Sequence, residues 1–151
     1  MRIWVDADAV PGEIKDIILK ASRRLSIETV LVANKSLRHG NSALVSSVRV
    51  KQGEDVADGY IVAESAAGDL CITADIPLAA ELVEKGVIVL DPRGETYSAD
   101  NVRERLAMRD FMAGLRESGV QTSGPPPFNA QAKQKFAARF DAALTKAVRA
   151  K

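Results

Sequence analysis

Apolar and polar positions alternate in blocks along the first 90 residues. Short β-branched or continuous apolar runs predict strands over 2–5, 28–33, 45–50, 70–73 and 87–90. Between them lie stretches with helical spacing. Over 11–25 the apolar residues Ile14, Ile17, Ile18 and Leu25 share one face, and over 54–67 Val56, Ala57, Tyr60, Ile61 and Ala63 turn inward. A third helix runs over 77–85 and ends at Gly86. Strand–helix alternation implies right-handed crossovers and an α/β fold of three layers around a mostly parallel sheet.

The pattern then changes. Arg93-Gly94 reads as a turn. Ser98 or Asp100 caps a helix to about Glu117, with Val102, Leu106, Phe111 and Leu115 as its apolar stripe. Residues 119–128 form a Gly/Pro-rich connector that contains Gly124-Pro125-Pro126-Pro127-Phe128. A last amphipathic helix carries Phe136, Phe140, Leu144 and Val148 at intervals of four. The chain therefore divides into an α/β domain over 1–118 and a C-terminal extension over 119–151. The extension packs on that domain or on a second copy in a homo-oligomer.

Composition narrows the class. With 151 residues, 46% hydrophobic and 27% charged, the chain is long enough for one domain with a real core. No run approaches the roughly 20 apolar residues of a membrane span, and no leader pattern opens the chain. The single cysteine, Cys71, lies in the apolar run Leu70-Cys71-Ile72, which fits a buried thiol in a reduced, cytoplasmic protein. A net charge of +1 conceals an uneven distribution: residues 1–100 carry 11 basic and 16 acidic side chains, residues 101–151 carry 10 and 4. An acidic site beside a basic segment suits the handling of a polyanion, although on charge alone a solvated basic helix is the simpler account of the second half.

The chemistry concentrates in aspartates. Ile3-Trp4-Val5-Asp6-Ala7-Asp8-Ala9-Val10-Pro11 is an apolar strand followed by two acids and a helix-opening proline. Gly53-Glu54-Asp55-Val56-Ala57-Asp58 places acids at a helix start, with Asp58 a full turn into the predicted helix. Asp75, in Ile72-Thr73-Ala74-Asp75-Ile76-Pro77, and Asp91, in Leu90-Asp91-Pro92, follow two further strands. Asp6, Asp8, Asp75 and Asp91 thus fall at the carboxyl edge of one parallel sheet, where such folds bind ligands. Converging carboxylates repel unless a cation or proton joins them, and oxygen donors favour Mg²⁺ or Mn²⁺. The plainer reading makes Asp8, Asp75, Glu54 and Asp55 helix caps and Asp91 a turn former. Thr73 stands where its hydroxyl could orient Asp75. Lys35, Arg38 and His39, after the second strand, could hold a phosphate backbone.

Taken together, Asp6-Ala7-Asp8-Ala9-Val10-Pro11, Val32-Ala33-Asn34, Asp55-Val56-Ala57-Asp58 and Ile72-Thr73-Ala74-Asp75-Ile76-Pro77-Leu78-Ala79 resemble the YaiI/YqxD family of uncharacterised bacterial proteins. The resemblance extends over almost the whole chain, with departures at Ser123-Gly124-Pro125 and Ala132-Lys133. It implies a PIN-like domain, the fold of metal-dependent ribonucleases. It further implies a metal cluster of Asp6, Asp58, Asp55 and Asp75, with Asp8 as an added member. On this reading the acids bind one or two Mg²⁺ or Mn²⁺ ions and hydrolyse a phosphodiester, RNA ahead of DNA, with Asp6, Asp8, Asp58 and Asp75 as the catalytic set. Two readings compete. One is a non-catalytic nucleic-acid- or protein-binding module. The other is a phosphatase of the haloacid dehalogenase type, with Asp6 as nucleophile, Asp8 as general acid, and Thr73 and Lys85 as later motifs.

Overall fold

The computed structural model describes residues 1–35, 43–53, 56–119 and 128–149. Its core is a six-stranded sheet in the order β3-β2-β1-β4-β5-β6. The strands are β1 (Arg2–Asp6), β2 (Glu28–Ala33), β3 (Val45–Arg49), β4 (Leu70–Ile72), β5 (Ile88–Leu90) and β6 (Thr96–Tyr97). Five are mutually parallel, as the alternation predicts, and β6 runs antiparallel to β5. β6 is two residues long, too short to leave a periodic signal, and the sequence pattern shows only a turn there.

The helices are α1 (Gly12–Leu25), α2 (Val56–Glu64), α3 (Ile76–Lys85), α4 (Ala99–Glu117) and α5 (Ala130–Arg149). Strand order explains their placement. The chain moves outward from β1 through β2 to β3, then returns to β4 beside β1. Right-handed crossovers in opposite directions put the connecting helices on opposite faces. Side chains alternating along the strands serve both. Ile3, Val5, Leu31, Leu70 and Ile72 meet Ile14 and Ile18 of α1 and Phe136, Phe140 and Leu144 of α5. Trp4, Val30, Val32, Cys71 and Val89 meet Ile61 of α2, Leu78 and Leu82 of α3, and Val102 of α4. Three layers result.

α5 seats on the same chain. Its aromatic pair Phe136–Phe140 stacks at 5.2 Å between centroids, and Arg24 of α1 reaches Asp141 at 3.0 Å. Gly94 permits this approach. Its φ is +90°, and a Cβ there would stand 2.9 Å from the backbone of Lys135 and Phe136. Val148 stays 44% exposed, so the four-residue stripe closes at Leu144.

α4 departs from expectation further. Ser98 caps it, with Asn101 completing a capping box. Yet of the expected stripe Val102 alone is fully buried, while Phe111 is 61% exposed. The helix rests on α3 through its first turns, and most of its remaining side chains lie in solvent.

Candidate functional site

The reversal of strand order at β1 opens a crevice at the carboxyl edge, between the chain ends leaving β1, β2 and β4. There lies a cleft of about 320 Å³ whose lining includes Asp6, Asp8, Asp58 and Asp75. Four of the acids expected to converge do so, each from a different local structure.

Asp6 is the last residue of β1 and only 7% exposed. Asp8 lies two residues on, in a 3-10 turn over Ala7–Ala9, and is exposed. It does not cap α1: the residue preceding that helix is Pro11, and no side chain caps it. Instead the Asn34 backbone N–H donates to Asp8 Oδ2 at 2.8 Å, tying the end of β2 to the turn after β1. Asp58 is half-buried and lies on α2, whose described part is Val56–Glu64. Asp75 is the N-cap of α3, accepting from the Leu78 N–H at 3.0 Å. The capping role and the cleft position thus coexist in one residue. Asp55 lies outside the described residues.

Thr73 links the two central acids differently from expectation. Its fully buried hydroxyl donates to Asp6 Oδ2 at 2.9 Å and accepts the backbone N–H of Asp75 at 3.0 Å. The side chain it orients is therefore that of Asp6. Burial pushes the Asp6 carboxyl above its ordinary value, the Thr73 bond opposes this, and the charges of Asp75 and Asp8 add to the rise. Behind them Cys71 is fully buried. Burial above all, then Asp6 and Asp58, push its thiol well above the ordinary range, so it is a packing residue and not a nucleophile.

Other candidates fall elsewhere. Asp91 follows β5 but is absent from the cleft lining. Its Oδ1 accepts the N–H groups of Arg93 and Glu95, at 2.8 and 2.9 Å, and so builds the turn into β6. Lys35 is exposed and does not line the cleft; Arg38 and His39 lie outside the described residues. Lys85 ends α3, whose N-cap is Asp75, and donates to the carbonyl of Val62 near the end of α2. That places it a full helix length from the acids.

The cleft also contains residues to which sequence reasoning assigned no role: Asn34, Lys51, Gly53 and Arg109. Lys51 follows the weakest strand. Arg109 lies mid-helix in α4, where no local pattern marks it. Among the described residues, no group of three or more His, Cys, Asp or Glu side chains is drawn together tightly enough to hold a metal ion. The described residues of the cleft are thus four separated carboxylates accompanied by two cations.

Comparison with known proteins gives a consistent answer. A family model described as "Uncharacterized BCR, YaiI/YqxD family" matches residues 4–146. The chain is 55% identical over 149 residues to a UPF0178 protein of Myxococcus xanthus, covering 99% of this chain and 97% of that one. It is 52% identical over 149 residues to a UPF0178 protein of Hydrogenovibrio crunogenus, covering 99% of each. A UPF0178 protein of Bordetella avium is 53% identical over 146 residues, covering 97% of this chain and 95% of that one.

Proposed function

This chain belongs to the YaiI/YqxD family, and from its cleft we propose that it is a divalent-metal-dependent nuclease that hydrolyses phosphodiester bonds, RNA in preference to DNA. The kinship with PIN-like ribonucleases implied by the motifs is part of this proposal. The observation that carries it is the convergence of Asp6, Asp8, Asp58 and Asp75 on one crevice at the sheet's reversal point, with Asp6 buried among like charges.

The donor chemistry fits Mg²⁺ or Mn²⁺. The acids supply carboxylate oxygens alone, and among the described residues neither His nor Cys lines the cleft. A cation would also relieve the repulsion that Asp75 and Asp8 impose on Asp6. Because no three described acids stand close enough to share one ion, Asp6 and Asp75 would hold it with water completing its shell, and Asp58 and Asp8 would stand alongside. Such an ion supplies Lewis acidity toward a phosphoryl oxygen and acidifies a bound water. The chain's own work is positional. Thr73 fixes the rotamer of Asp6 and the α3 N-terminus fixes that of Asp75, so both carboxylates are set before substrate arrives. His39 has no assigned part in proton transfer, and the reading requires none.

The phosphatase reading loses its lysine, since Lys85 serves the α2 carbonyl end. The binding-module reading keeps one observation in its favour, the open spacing of the carboxylates. Cleavage separates the readings. Asp6→Asn and Asp75→Asn should each lower Mn²⁺-dependent hydrolysis of a labelled RNA by at least about 10³-fold, the scale of losing a principal electrostatic group, with circular dichroism unchanged. Undiminished cleavage by rigorously purified variants would refute the assignment.

A further inference from the structure

Two cations share the cleft with the four acids, and they arrive from opposite directions. Lys51 follows β3, the outermost strand on one side of β1. Arg109 belongs to α4, which enters after β6 on the other side and leans on α3. Strand order thus brings one cation to the cleft from each side of β1. Arg109 is half-exposed. Its ion pair is with its sequence neighbour Asp110, at 3.3 Å, and Asp110 does not line the cleft. Such an exposed pair contributes little and yields readily to a better partner. A guanidinium has five donors in a planar fork matched to phosphate, and a lysine ammonium acts as a compact charge.

The remaining lining shows what the cleft does not read. Val50 and Ala57 are its aliphatic side chains, and among the described residues no aromatic ring enters it. Stacking on aromatic rings is the usual means of engaging bases of a single strand. Phe111, two residues beyond Arg109, points elsewhere and is exposed. The exposed Met108 is likewise absent from the lining.

Resting on the nuclease reading, we propose that Arg109 and Lys51 form a two-sided clamp on the phosphates flanking the scissile linkage of one strand, so that the substrate is recognised by backbone charge and not by base identity. The carboxylates address the linkage to be cut, and the two cations hold its neighbours. α4, which contributes one fully buried side chain to the core, then has a task that explains its length.

The test is fluorescence anisotropy with labelled oligo(U) and oligo(A) RNA of equal length. It is run with Mg²⁺ in an Asp6→Asn background, so that binding is read without turnover. The two homopolymers should bind within about twofold of each other. Arg109→Ala and Lys51→Ala should each weaken binding several-fold and each flatten the dependence of log K on log salt by about 0.7, one phosphate contact on a single strand. Arg116→Ala, on the same helix but outside the cleft, should match the parent. If the parent binds RNA and the two cleft variants bind equally well, the clamp is refuted while the nuclease reading stands. A tenfold preference for either homopolymer refutes the claim of base independence. A parent that binds neither RNA overturns the underlying reading and the clamp with it.

Discussion

Asp6 and Asp69 sit at opposite ends of neighbouring strands, each 7% exposed. Asp69 precedes β4 at the amino edge, and its carboxylate accepts three hydrogen bonds: from the Arg2 N–H at 3.0 Å, the Trp4 indole N–H at 3.0 Å and the Ala66 N–H at 2.9 Å. Asp6 ends β1 at the carboxyl edge, accepts from Thr73, and faces the charges of Asp8 and Asp75. Equal burial therefore conceals opposite circumstances. A charge surrounded by donors is solvated by the protein and holds the fold together. A charge surrounded by like charges works against the fold, and such arrangements persist where a ligand needs them.

Removing the structural acid should have the larger effect on stability. Asp69→Ala strands the buried Trp4 indole and two backbone donors, and should cost about 3 kcal/mol. Urea unfolding followed by the fluorescence of Trp4, the chain's only tryptophan, reads this directly. An unchanged midpoint would mean that water replaces the carboxylate and that the contrast with Asp6 is empty. Asp6→Asn should act in the opposite sense, raising the melting temperature of the metal-free protein by a few degrees, the scale of about 1 kcal/mol in a chain of this size. The sign follows from linkage. The folded-state value of Asp6 lies above its unfolded value, so its contribution to stability is full at low pH and is lost as pH rises through the folded value. Asparagine does not titrate. The gap between variant and wild type should thus open as pH rises from about 4 and level off above the folded value; a gap constant with pH would contradict it. The finest distinction belongs to Asp75, which shares both characters. Asp75→Ala should fall about 1 kcal/mol below Asp75→Asn, because asparagine retains the cap on α3.

The same contrast marks how far the sequence could be read. Asp6, Asp8 and Asp75 were legible because a parallel sheet brings the carboxyl ends of its strands to one edge, and each follows an apolar run. Asp58 was legible from its helix. Asp69 was not, since nothing local distinguishes it from a turn residue; its partners Arg2 and Trp4 lie 67 and 65 residues away. Arg109 was hidden for a related reason. Periodicity marked Phe111 and Leu115 as inward, but α4 is longer than the surface it rests on, so its apolar spacing continues beyond the contact. Asp91 matched the strand-end pattern, yet the turn into β6 takes its carboxylate for backbone N–H groups.

The seating of α5 has a consequence in time. Phe136, Phe140 and Leu144 complete a core whose other members come mostly from the first 90 residues, and the Arg24–Asp141 bond closes a span of 117 residues. Bringing such distant segments together costs loop entropy before any contact repays it. The opposite face, from Trp4 to Val102, needs no buried member beyond Val102. During synthesis from the N-terminus, the half of the molecule that holds the carboxylates can assemble while Ile14 and Ile18 still await their cover. The interval before α5 docks is when this chain is most exposed to aggregation and proteolysis.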